Sequence, residues 1–310
     1  MATLLWAAGP VAAEDCPRGA LDARYCDADG DMVADPPALE DQIDPSTLIF
    51  AYTPVEDPAV YAPAWQGFIA HLERITGKKV RLFQVQSNSA QLEALRSGRL
   101  HIAGVNTGSV PIAVNCAGYV PFSMMAGPSG PYAYEMEILV PVNSQIQTPT
   151  DLKGHTIAFT SPTSNSGFKA PAFMLESEFG LKAGIDYESV FSGKHDSSIL
   201  GVANADYEAA AIANSVLGRM IERGAVDPSK FRSIYKSPSF PTTGYGYAYN
   251  LKPELAEKIR AAFLSYDIGQ DEKMAPEFPG QDRFITMTYK AEWDIVRRID
   301  AGTGVKYDCK

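Results

Sequence analysis

Short apolar runs alternate with stretches whose apolar residues recur at helical spacing over most of the chain. Thr47-Leu48-Ile49-Phe50-Ala51-Tyr52 reads as a strand, and Trp65, Phe68, Ile69 and Leu72 share one face of a helix expected over 62–76. Gly77-Lys78-Lys79 turns the chain into a second strand over 80–85. Ser87-Asn88-Ser89 opens a helix over 90–97, and Gly98 precedes a third strand over 100–105. Strands and helices in this order predict an open α/β sheet with helices on both faces. Ligands of such sheets sit beyond the carboxyl ends of the strands. Asn106-Thr107-Gly108-Ser109 occupies one of those ends, at the start of another helix.

The pattern resumes in a second block. A long strand is expected over 132–142, a buried strand ends at Thr156-Ile157-Ala158-Phe159, and Phe168 to Phe179 has helical spacing. Gly244-Tyr245-Gly246-Tyr247-Ala248-Tyr249-Asn250 reads as a return strand, followed by helices over 253–265 and 290–300. With 310 residues there is enough chain for two cores. The expected division is a first lobe of 46–140 plus 244–310 and a second lobe of 141–243, each an open mixed sheet flanked by helices, with a hinge between them. The three alternating tyrosines of the return strand point to one face, as core or hinge packing by default or, as the sharper option, as lining of the cleft.

The candidate chemistry lies at strand-to-helix junctions. Thr160-Ser161-Pro162-Thr163-Ser164-Asn165-Ser166-Gly167-Phe168 joins the strand ending at Phe159 to the next helix. Small hydroxylated residues there cap the first turn and leave backbone N–H groups facing outward, so an oxyanion can be held without a Lys or Arg touching it. The same stretch also reads as an ordinary capped loop. Phe191-Ser192-Gly193-Lys194-His195-Asp196-Ser197-Ser198-Ile199 repeats the chemistry and adds a histidine, with Asp196 either orienting His195 or capping the helix. His71, His101 and His155 are read as structural.

Net charge is −10, which argues against a broad basic surface for nucleic acid but leaves room for a local anion site. No GxSxG, Walker, dinucleotide or metal motif is present, so neither an enzyme nor a cofactor is expected. Residues 1–13 are apolar and end in Val11-Ala12-Ala13, like the back half of a secretory signal without its basic region. Cys16 and Cys26 fit a local disulfide in an extension over 14–45, consistent with export. Asp27-Ala28-Asp29-Gly30-Asp31-Met32-Val33-Ala34-Asp35 partly matches the spacing of a calcium loop. Its glycine comes two residues early and Ala38 replaces the closing Glu, so the stretch reads as a solvated acidic turn, with calcium left open.

The ordered motifs resemble the phosphonate/phosphite/phosphate-binding proteins of bacterial ABC importers. Ala51-Tyr52-Thr53-Pro54, the 160–168 stretch, Ser192-Gly193-Lys194-His195-Asp196 and Phe240-Pro241-Thr242-Thr243-Gly244 fall in that family's order. The resemblance implies a periplasmic, monomeric binding protein of the two-lobed type II kind. It would close on a small phosphorus oxyanion and hand it to a membrane permease. By the same likeness Ser164, Asn165 and Ser166 form the phosphoryl cradle, His195 donates to an oxygen, and Tyr52 reaches from the facing lobe. Asn106, Thr107, Thr163, Thr242 and Thr243 complete the expected ligand set. Aminoalkylphosphonate binders carry a Tyr at the Asn106 position and carboxylates near Ser215 and Thr243, which disfavours an ammonium-bearing ligand here. Arsenite-sensing relatives, which signal to a membrane histidine kinase, suggest an alternative in which Cys116 is a thiol ligand. A free buried Cys is otherwise a small apolar residue.

Overall fold

The computed structural model describes residues 16–307 and 309; the signal-like segment 1–13 lies outside them. Two mixed sheets carry the two lobes. The first is ordered Arg283–Thr286, Tyr119–Gly127, Gly244–Ala248, Ile102–Val105, Thr47–Tyr52, Lys79–Leu82, with the short Gly130–Pro131 on Tyr119–Gly127. Its first three strands in sequence pair parallel, and the returning Gly244–Ala248 pairs antiparallel to Ile102–Val105. The second is ordered Phe231–Lys236, Met136–Pro141, Ala209–Ala213, Thr156–Phe159, Glu188–Phe191.

The helices form where their periodicity and end signals agree. Gln66–Thr76 buries Phe68 and Leu72 and stops at Gly77 in the left-handed conformation, which glycine adopts at little cost. Asn88–Arg96 starts at Ser87, whose side chain accepts the Ala90 amide. Beneath Gln66–Thr76, Trp65, Phe68, Tyr245, Phe263 and Phe284 form an aromatic core in the first lobe, while Ala94 and Leu95 of Asn88–Arg96 enter a second core with Val105 and Trp293.

Two expected boundaries move. The run expected as one crossing strand over 132–142 breaks at Glu135. Ala133–Tyr134 pairs with Phe240–Pro241 in a two-stranded ribbon, and Met136–Pro141 is a central strand of the second sheet. Its residues 136–140 are all buried, so this run is core of the second lobe rather than the end of the first. At the other end, Asp294–Gly302 bridges the lobes: Val296 stays in a first-lobe core, Ile299 joins the second core, and Asp300 pairs with Lys169 at 2.8 Å, both side chains buried.

Cys16 and Cys26 form a disulfide, and the extension they start is packed rather than loose. Leu21, Tyr25, Val33 and Ala34 enter a core with Tyr119, Tyr289 and Trp293. Cys116 forms a second disulfide with Cys309. The thiol needed for an arsenite ligand is therefore consumed, because the carboxyl-terminal segment returns to the end of the Val110–Ala117 helix.

Candidate functional site

Four helices begin at the cleft between the lobes, each after the carboxyl end of a strand. Val110–Ala117 follows Ile102–Val105, Asn165–Lys169 with Ala170–Phe179 follows Thr156–Phe159, His195–Ala203 follows Glu188–Phe191, and Asn214–Glu222 follows Ala209–Ala213. The first-turn amides of a helix lack partners within it, and the helix dipole makes that end positive. Residues from all four starts line the cleft: Asn106 and Thr107; Ser164, Asn165 and Ser166; His195; Ala213 and Ser215. Tyr52, Val55, Tyr132, Tyr134, Val216, Arg219, Thr242, Thr243, Tyr245, Phe278 and Gln281 complete the lining.

The cradle begins at Ser164, whose hydroxyl accepts the Gly167 amide at 3.0 Å. Its first turn is wide, with the Ala170 amide donating to the Asn165 carbonyl in π-helical fashion. Gly167 has to be glycine, because a Cβ there would strike the Thr160 side chain. Asn165 Nδ2 donates to Tyr134 Oη at 3.3 Å, while its Oδ1 has no hydrogen-bond partner among the described residues.

His195 is buried, and the Ala213 amide donates to its Nδ1 at 3.1 Å. That bond places the proton on Nε2 and makes the ring a neutral donor. Burial, helped by the Arg219 charge, holds its pKa down at about 3. Asp196 does not orient this ring: its carboxylate accepts the Ser197 amide at 2.7 Å and, from the other lobe, the Asp57 amide at 3.1 Å. The other histidines are held elsewhere, His101 accepting the Ile49 amide and His155 meeting Glu208.

The first lobe supplies hydroxyls and amides on the facing side. Asn106 caps the Val110–Ala117 helix, its Oδ1 accepting the Ser109 amide and its Nδ2 donating to Ser109 Oγ and Thr53 Oγ1. Thr107 Oγ1 donates to the Pro241 carbonyl at 2.8 Å, which ties the cleft wall to the ribbon before Thr242 and Thr243. Burial keeps the Tyr52 and Tyr134 hydroxyls protonated, above the ordinary phenol range.

Of the expected ligand set, Thr163 is not in the lining. Its hydroxyl accepts from Ser109 Oγ at 2.9 Å and from Asn88 Nδ2 at 3.3 Å, so it joins the lobes beside the cleft. Cys116 is likewise absent from the lining. Sequence reading missed Arg219 and Ser215 as members of the site. Both stand one turn apart on the Asn214–Glu222 helix, a strand-to-helix junction of the same kind as those at 106–109, 160–168 and 191–199. Tyr132 stands at the start of the run expected as a strand over 132–142, and Phe278 and Gln281 come from irregular segments without a periodic signal. Arg219 means the cleft is not free of cations, yet its charge is committed. The guanidinium donates to Glu56 Oε2 at 3.2 Å and to Tyr61 Oη at 2.9 Å, and Glu56 also takes Arg223 and the Tyr61 hydroxyl. No carboxylate lines the cleft among the described residues.

Two lobes closing over helix starts define a solute-binding protein. Residues 50–293 match the family described as "ABC transporter, phosphonate, periplasmic substrate-binding protein", and the chain belongs to that family. It is thus the periplasmic, non-enzymatic binding component of an ABC phosphonate/phosphate importer. It is 26% identical over 276 residues to the phosphate-import protein PhnD of Mycolicibacterium smegmatis, covering 86% of this chain and 85% of that one. Identity to the phosphonates-binding periplasmic protein of Escherichia coli is 24% over 234 residues, 74% and 69% of the two chains. The fold is similar to that of PhnD1 from Prochlorococcus marinus in complex with methylphosphonate, with a TM-score of 0.73, 17% identity, and coverage of 84% of this chain and 100% of that one.

Proposed function

We propose that the cleft takes a small phosphorus oxyanion whose fourth substituent is apolar, phosphite or methylphosphonate, and presents it to a membrane permease. The observation that carries this reading is a lining of helix starts, hydroxyls and a neutral imidazole donor, with no carboxylate. An ammonium group would find no counter-charge there, which argues against aminoalkylphosphonates. The hydroxyl of a protonated phosphate would likewise lack a carboxylate acceptor, and Val55, Val216 and Phe278 offer an apolar wall instead. Several hydrogen bonds to the anion, at about 1.5–3 kcal/mol each, are enough for micromolar affinity or better.

Phosphate is the second reading, favoured by the name of the M. smegmatis relative and by the free Asn165 Oδ1, which can accept one P–OH. Calorimetry with phosphite, methylphosphonate, phosphate and 2-aminoethylphosphonate separates the readings. Phosphite or methylphosphonate is expected to bind at least about tenfold tighter than phosphate, and aminoethylphosphonate weakest. Tightest binding of phosphate favours the second reading, and tightest binding of aminoethylphosphonate overturns both.

A further inference from the structure

The acidic stretch after the first disulfide belongs to neither sheet and lies outside the cleft lining. Asp27, Asp29 and Asp31 each bring a carboxylate oxygen within 4.8 Å of the other two. The loop's own amides set them. Met32 N–H donates to Asp27 Oδ2 at 3.2 Å, Asp31 N–H to Asp29 Oδ1 at 3.1 Å, and Val33 N–H to Asp31 Oδ1 at 2.9 Å. Each carboxylate spends one oxygen on the loop and keeps another to offer. Asp35 closes the turn by accepting the Ala28 amide at 2.7 Å, while its own amide donates to the Cys26 carbonyl at 2.8 Å.

Asp29 and Asp31 are exposed, so water can meet their remaining oxygens. Asp27 differs. It is only 8% exposed, and its Oδ1 takes no hydrogen bond among the described residues. A buried carboxylate oxygen without a partner, beside two further carboxylates, is unfavourable unless a cation is shared among them. The nearby Lys290 ammonium donates to the Gly30 carbonyl at 2.8 Å.

We propose that Asp27, Asp29 and Asp31 form a calcium site that fastens the amino-terminal extension to the first lobe. Hard carboxylate oxygens select a hard cation, and a flexible loop with water on its open side suits calcium better than the strict octahedron of magnesium. The loop runs straight into Val33 and Ala34, which pack with Leu21, Tyr25, Tyr289 and Trp293. A cation on the three carboxylates would add a second fastening beside the Cys16–Cys26 disulfide.

The test uses the full chain, stripped with EDTA and titrated with calcium chloride by calorimetry and by thermal unfolding. One site is expected, with a Kd of about 10⁻⁴–10⁻³ M as in extracellular calcium modules, and a rise in Tm that saturates over the same range. Asp29→Asn/Asp31→Asn changes exposed side chains only. This variant is expected to keep its circular dichroism and its oxyanion affinity while losing both the calcium heat and the Tm rise. No heat and no Tm rise up to about 10 mM calcium, tenfold above that range, would overturn the site. Retention of the response in the double variant, or an equal response to magnesium, would overturn it as well.

Discussion

His195 owes its chemistry to one hydrogen bond. Because the Ala213 amide occupies Nδ1, the ring can only donate into the cleft through Nε2, and burial keeps it neutral. His195→Ala is expected to weaken oxyanion binding by about 10–100-fold, the value of one hydrogen bond to an anion, as read by calorimetry. Its titration also has a sign. The folded pKa of about 3 lies below the ordinary 6.5, so between these values the unfolded chain holds a proton that the folded one lacks. Stability from this residue is therefore lost as pH falls from 6.5 towards 3, by at most about 1.4 kcal/mol per unit. His195→Gln, which cannot titrate, is expected to close the stability gap to the wild type as pH is lowered from 7 to 4.5, measured by urea unfolding. Cys116 is half of a disulfide rather than a thiol ligand. Cys116→Ser/Cys309→Ser opens a loop of 193 residues and is expected to cost about 3–5 kcal/mol while leaving oxyanion affinity unchanged. Arsenite binding by the oxidised wild type, tested by the same calorimetry, is expected to be absent.

At the scale of elements, the cradle helix is held from behind by Lys169. Its ammonium donates to the Gly108 carbonyl of the first lobe at 2.8 Å and pairs with Asp300 of the final helix. Burial pulls the lysine pKa down, against the opposing pull of Asp300. Tyr307 Oη completes the group by donating to Asp300 Oδ2 at 2.6 Å. Removing one charge of a buried pair leaves the other uncompensated. Asp300→Asn is thus expected to destabilise the fold by about 3–5 kcal/mol in denaturant titrations. Gly108 marks a close approach of the two lobes, since a Cβ on it would meet the Thr163 carbonyl and the Asn165 amide. A side chain there would push the cradle away from the facing wall.

At the scale of the whole molecule, contacts between the lobes surround the cleft. The His195 amide donates to the Val55 carbonyl at 3.1 Å, and Glu56 of the first lobe holds Arg219 and Arg223 of the second. The Ala133–Tyr134 and Phe240–Pro241 strands pair antiparallel in a ribbon before Met136–Pro141 and Gly244–Ala248. Methylphosphonate is expected to reduce the radius of gyration in small-angle scattering and to stabilise the protein by about 2.7 kcal/mol at a hundredfold excess over Kd. Gly108→Val is expected to keep the fold but to lose both responses. A Gly108→Val protein that compacts like the wild type would separate lobe approach from binding.

Much of this architecture was legible in order and in kind. The apolar runs at 47–52 and 156–159, the junction at 164–166 and the histidine at 195 follow from local pattern, because periodicity, capping and glycine chemistry act between near neighbours in sequence. What tertiary structure alone decided is which distant groups meet. It spends Cys116 on Cys309, turns Thr163 into a tie between lobes, carries Asp300 across to Lys169, and brings Arg219 to the cleft already paired with Glu56. Those outcomes depend on how two cores settle against each other over separations of tens to hundreds of residues, and no local pattern encodes that distance.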